Sequence, residues 1–140
     1  MADNFGLRIG VEGEKEFKKA LAEINQSFKV LGSEMNLVAS QFDKQDKSVE
    51  AITARNRVLN KEIDTQKQKI GTLEQALANA TASFGENDRC TQQWQIQLNN
   101  ARAALNDMEK ELDENNRALE EAGDHLAEAG AQADEVGDSL

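Results

Sequence analysis

Proline and tyrosine are missing from this chain, and cysteine, histidine and tryptophan each occur once in its 140 residues. Average usage would supply roughly seven prolines, so no residue here removes a backbone donor and breaks a helix from within. The single Cys90 excludes an internal disulfide; beside a turn it reads as a small filler rather than a redox or nucleophilic centre. The single His125 leaves any Ser-His-Asp or Cys-His arrangement resting on one residue in an Ala- and Gly-rich stretch, where an exposed helix position is the simpler reading. No Walker, GxGxxG or CxxC pattern occurs. The acids Glu109, Glu111, Asp113 and Glu114 lie close together, yet metal binding and paired-carboxylate catalysis need convergence in a concave pocket, which a thin rod does not supply. No enzymatic activity, catalytic residue, cofactor or metal is therefore expected.

Long apolar runs are also lacking. Nothing approaches the roughly 20 residues that cross a bilayer. The N-terminus has neither the basic nor the apolar segment of a signal peptide, so cytoplasmic synthesis and no membrane contact are expected. Excess positive charge is absent as well, the net charge being −10. Residues 1–102 carry 14 acids and 14 bases, whereas residues 103–140 carry 12 acids against Lys110 and Arg117 alone. Without a basic stripe to release counterions, direct nucleic-acid binding is not expected. The acidic run reads as a solvated helix face, with self-repulsion or steering toward a basic partner as the sharper alternative.

What is present is a heptad repeat. From Phe17 to Leu140, apolar side chains recur at alternating steps of four and three without a slip in phase. One series, a, includes Leu21, Phe28, Met35, Phe42, Val49, Ile63, Ile70, Leu77, Phe84, Leu98 and Leu105; the other, d, includes Phe17, Ile24, Leu31, Val38, Ile52, Leu59, Leu73, Trp94 and Met108. Of the 36 a and d positions 30 are apolar, where a 39% apolar chain would fill about 14 by chance. The exceptions are Gln45, Asn56, Gln66, Asn87, Thr91 and Asn115. Polar residues buried in such a seam commonly set register and strand number at a cost in stability, and Asn56 and Gln66 are the candidates for that role.

The pattern predicts an all-α fold of long coiled-coil helices over about 14–42, 47–83 and 89–122. A short Gly-rich leader, 1–13, precedes them, its Phe5, Leu7, Ile9 and Val11 alternating with the period of a strand. An acidic Ala/Gly linker, 123–140, weakly helical, follows them, with Gly123, Gly130 and Gly137 recurring at sevens. The first break falls near 43–48, where Asp46 or Ser48 can cap the next helix. The second falls near 85–88, where Gly85 suits a left-handed helix end and Asn87 or Asp88 suits a cap.

Heptad phase is kept across both breaks, since Phe42 to Val49 and Phe84 to Thr91 each advance by seven. Hinges in one rod would need that continuity, whereas independent hairpins would not. The e and g charges add a slight preference: in a parallel pair, Glu62 would meet Lys67 and Lys69 would meet Glu74. Parallel self-association of the second helix is therefore favoured, with antiparallel folding-back as the alternative.

Beyond the heptads, particular strings carry a resemblance. They are Leu7-Arg-Ile-Gly-Val-Glu-Gly-Glu-Lys-Glu-Phe-Lys-Lys-Ala-Leu, Phe28-Lys-Val-Leu-Gly-Ser-Glu-Met, Ser40-Gln-Phe-Asp-Lys, Leu59-Asn-Lys-Glu-Ile, Ser83-Phe-Gly-Glu-Asn and Trp94-Gln-Ile-Gln-Leu-Asn-Asn-Ala. From about residue 7 to 122 the chain resembles the amino-terminal region of tape measure proteins of tailed bacteriophages and prophages. The resemblance implies a structural protein that occupies the tail-tube lumen of the virion after synthesis in the host cytoplasm and sets tube length by its own length. It also implies partners: tail tube protein, tail assembly chaperone and further copies of itself. It implies no cofactor and no active site in this region. Members of that family are usually several times longer, so the chain would correspond to an N-terminal segment with further sequence beyond 123–140. A cytoplasmic coiled-coil adaptor or assembly module without a ruler role would share every heptad feature, and an enzyme-accessory bundle would be a compact monomer.

If Asn56 and Gln66 set register rather than strength, replacing both with Ile or Leu should raise the thermal unfolding midpoint while broadening the distribution of oligomers seen by sedimentation. Lower stability with one unchanged species is the result that assigns them another role.

Overall fold

The computed structural model describes residues 12–139, with side chains described for 12–123. Three helices follow one another: α1, Gly13–Gln41; α2, Val49–Phe84; and α3, Arg89–Ser139. Among the described residues there is no strand. At 1.5 Å per residue the helices are about 43, 54 and 76 Å long. The leader residues 1–11 with their strand-like alternation lie outside the described residues, while Gly13, expected in that leader, belongs to α1. The third helix also differs from expectation, because its backbone continues through Gly123, Gly130 and Gly137 to Ser139 rather than weakening at 122. Each glycine costs about 1 kcal/mol relative to Ala, and the Ala-, Glu- and Leu-rich residues between them favour helix enough to carry it through.

Both breaks are turns that reverse the chain. Along α1 the residue numbers rise as those of their α2 partners fall: Lys69 Nζ lies 3.4 Å from Asn25 Oδ1, and Lys61 Nζ lies 3.6 Å from Glu34 Oε2. Along α2 and α3 the same holds, with Gln66 bonded to Ala101 and Asn56 to Asn115 and Asn116. The seam of α2 thus finds its cover within the same chain and antiparallel, in place of the favoured parallel pairing with another copy. The Glu62–Lys67 and Lys69–Glu74 pairs expected between parallel strands have no counterpart in this arrangement.

The middle helix packs against both neighbours. Its a and d residues Ile52, Asn56, Leu59, Ile63, Gln66, Ile70 and Leu73 are buried, and so are Ala51 and Val58 at c and Ala76 at g. A helix buried on one side needs only the a/d stripe; one enclosed on two sides needs the wider face that these small and β-branched residues supply. The closed part of the core sits where all three helices meet, with Leu21, Ile70, Leu73, Ala76, Ala80, Trp94, Leu98 and Ala101 buried together and Phe17, Ile24 and Leu77 packed against them. Past Ala101 the seam of α3 is only half-buried, at Leu105, Met108 and Leu112, because α1 no longer covers it.

Leu73 is 0% exposed at the centre of this cluster. Leu73→Ala should cost about 2–5 kcal/mol in chemical denaturation. A loss under about 1 kcal/mol would mean that the three helices do not share this core in solution.

Candidate functional site

Among the described residues no group of three or more His, Cys, Asp or Glu is placed to hold a metal, and no helix is long and apolar enough to cross a membrane. The Cys90 thiol is half-buried. Burial, and then the neighbouring Glu14 carboxylate, push its pKa up, which keeps it a thiol. The His125 side chain lies outside those described. What the fold does build is a set of polar contacts inside and at the ends of the helical seam.

The first turn is tied at several points. Asp46 Oδ1 accepts from the Ser48 amide at 2.9 Å, and Ser48 Oγ, at the N-cap of α2, accepts from the Ala51 amide at 3.2 Å. The Asp46 carboxylate has its pKa lowered, first by that backbone amide. Arg55 then reaches back from α2 and donates to the carbonyls of Asp46 and Asp43, both at 2.6 Å. The Asp43 carbonyl also accepts from the Asp46 amide at 2.9 Å, so the guanidinium fork adds a second bond there and supplies the Asp46 carbonyl with a partner.

The second turn is shorter. Gly85 has φ 90° and ψ 160°, so it takes positive φ as expected but not the left-handed helical ψ. That region is open essentially to glycine alone. Asp88 Oδ1 accepts from the Cys90 amide at 2.8 Å and caps α3.

Asn56 and Gln66 are both buried and both bonded across α2 and α3. Asn115 Nδ2 donates to Asn56 Oδ1 at 2.9 Å, and Asn56 Nδ2 donates to Asn116 Oδ1 at 3.2 Å. Gln66 Nε2 donates to the Ala101 carbonyl at 2.8 Å. Thr91, another polar seam residue, is buried with no partner for its hydroxyl among the described residues.

Sequence reasoning did not find the contact that locks α1 to α3. Trp94 Nε1 donates to Glu14 Oε1 at 2.7 Å, with both residues buried. Glu14 has the signature of a helix-start acid suited to the dipole, and nothing local marks the indole 80 residues away as its partner. Arg55 is likewise unmarked; its signal is a base at g, two turns into a helix that follows a carbonyl-rich break.

Glu62, also at g, points toward α3 and is partly buried. Burial first, and then the Glu111 charge, raise its pKa. Folded Glu62 therefore holds a proton more tightly than unfolded Glu62. Its contribution favours the bundle below the ordinary value of 4.5 and is lost as pH rises through the raised folded value.

No protein-family model, no curated protein and no solved structure matches this chain.

Glu14→Ala leaves the Trp94 N–H buried without an acceptor and should cost about 1–3 kcal/mol, with a red shift of the Trp94 emission. Glu14→Gln keeps an amide oxygen in place and should recover most of that loss. Equal stability of the two variants would mean that the bond does not hold α1 against α3.

Proposed function

We propose that this chain is a structural component of a bacteriophage or prophage tail, the N-terminal coiled-coil segment of a tape measure protein that occupies the tail-tube lumen and sets tube length. The observation that carries this reading is the single heptad register from Phe17 to Leu140, unbroken through both turns. The folded bundle has no need of that continuity. Straightened at the two turns, residues 17–140 would form one rod of about 186 Å, against about 76 Å for α3, the longest helix of the folded bundle. A ruler needs the first geometry, and phase continuity is what makes it available without exposing half of the seam. The Gly-rich leader, the Ser83–Asn87 break and the Trp94 segment add the resemblance. In this role the protein is not an enzyme, and its partners are tail tube protein, tail assembly chaperone and its own copies.

A second reading is favoured by the turns themselves. Arg55 on two carbonyls, Ser48 on the Ala51 amide and the Trp94–Glu14 bond all stabilise the folded-back form. A chain meant only to be stretched needs none of these, so an assembly or adaptor module without a ruler role would use the bundle as it stands.

Deleting whole heptads between Val49 and Phe84 in the full-length parent gene separates the two. Removal of 28 residues should shorten tails by about 42 Å if the segment is read as length. Tails of unchanged length would overturn the ruler role and leave the module.

A further inference from the structure

The first turn joins two helices that pair in a single antiparallel register. Asn25 meets Lys69 and Glu34 meets Lys61, so the numbers of facing residues sum to 94 or 95 along the pair. Apolar residues of the same sum share the core: Leu21 and Leu73 are buried in one cluster, and Phe17 and Leu77 both pack against it. Such a register is symmetric about Lys47, which lies within the turn itself. Two chains straightened through that turn would therefore pair about a two-fold axis at Lys47, α1 of each on α2 of the other, and every α1–α2 contact of the closed bundle would reform between copies.

Heptad phase decides whether the seam survives the crossing. Phe42 and Val49 occupy a, while Gln45 and Ile52 occupy d. In the same register Phe42 falls opposite Ile52 of the second copy and Gln45 opposite its Val49, so the a and d layers run on through the former turn. The backbone permits the change there and resists it at the second turn. Residues 42–48 contain neither glycine nor proline, and among the described residues positive φ occurs at Gly85 alone. Ser48 already has a helical φ of −63° and needs only its ψ of 156° to swing. Once helical, Asp43 and Lys47 stand at i and i+4 as an attractive pair. Gly85 is a poor helix former, and the second turn leads directly into the core through Cys90 and Trp94. What opening the first turn gives up is local: the two Arg55 bonds, the Asp46–Ser48 bond and the Ser48 cap. Helix hydrogen bonds along the straightened segment replace them.

We propose that α1 is an exchangeable arm and that the partner it fits is a second copy of this chain. In the exchanged dimer α1 and α2 form one helix from Gly13 to Phe84, about 108 Å long. The third helix stays folded on its own α2, and Glu14 of each copy accepts from Trp94 of the other. The interface is isologous and closed, so exchange stops at two copies. It needs only the bundle, is independent of the tail role and serves an adaptor equally.

The test uses the whole chain in three forms, with sedimentation for mass, circular dichroism for helicity and Trp94 emission for the cover that α1 provides. Wild type refolded at high concentration should yield a dimer with the helicity and emission of the monomer. Deleting Phe42–Ser48, one heptad, keeps a and d in phase and leaves nothing to turn with, so this chain should be dimeric throughout with Trp94 emission unshifted. Lys44→Pro should do the reverse. The Asp46 amide donates to the Asp43 carbonyl at 2.9 Å, which makes Lys44 the second residue of a β-turn, a place that suits proline. Within a straight helix the same proline removes a bond and clashes, so dimerisation should weaken at least about a hundredfold while the monomer keeps its helicity. Three results would each overturn the exchange: a wild-type chain that never dimerises; a heptad deletion that stays monomeric, loses helicity or red-shifts Trp94; and a dimer that Lys44→Pro leaves at full strength. The last would mean closed bundles meeting face to face.

Discussion

A helix with apolar residues at two positions in seven cannot bury them alone, and every feature of this fold answers that constraint. The chain has three such helices and little else with which to cover them. The helix that ends up between the other two is the one whose apolar face widens beyond a and d. Ala51 and Val58 at c and Ala76 at g give α2 a second buried surface, and this lets α1 lie on one side while α3 lies on the other. On α1 the corresponding c residues are Val30 and Leu37, which remain 51% and 60% exposed because no third neighbour reaches them. Position in the bundle thus follows from the width of the stripe rather than from its strength.

Interior polarity then chooses among the ways three stripes can be stacked. Sliding α3 by one heptad along α2 would keep every a and d residue in an apolar layer, so hydrophobic burial hardly discriminates between registers. The amides do. Asn56 meets the Asn115 and Asn116 side chains in one alignment only, whereas Gln66, bonded to the Ala101 carbonyl, would find another backbone carbonyl one heptad away. Trp94 and Glu14 apply the same logic to α1 and α3 at the closed end. A shifted register would bury Asn56, Trp94 and Glu14 unpaired, at about 1–3 kcal/mol each.

Much of this was legible in the residues. Heptad spacing and the missing prolines pointed to three helices with ends close to those found, except that α3 runs on past 122 to Ser139, and Ser48, Asp46, Gly85 and Asp88 stood out as turn chemistry because caps are local. Orientation was not legible. The e and g charges of α2 suggested a parallel pair, since Glu62 with Lys67 is attractive on paper; folding back turns Glu62 toward Glu111 instead. Surface charge pairs of this kind are worth well under about 1 kcal/mol, and two capped turns together with the wide apolar face of α2 outweigh them. The Glu14–Trp94 bond and the Arg55 clamp were invisible for another reason. Each joins residues whose proximity exists only after the chain has turned, so no window along the sequence contains both partners in a recognisable pattern.

The proposed tail role and the folded bundle place opposite demands on α2. Stretched end to end, the chain keeps its a/d seam in phase for a partner strand, but it takes from Val58 and Ala51, both buried at c, the cover that the bundle gives them. Exposing a buried valine costs about 1.5–3 kcal/mol, and the turn contacts of Arg55 and the Glu14–Trp94 bond are lost as well. Extension is therefore uphill for the chain by itself. It becomes favourable where another surface replaces α1 on the c and g face of α2, as the wall of a tube or a strand of a neighbouring copy would. The bundle is then the resting form of such a protein, and the partner that draws it out is the one that supplies the missing apolar cover.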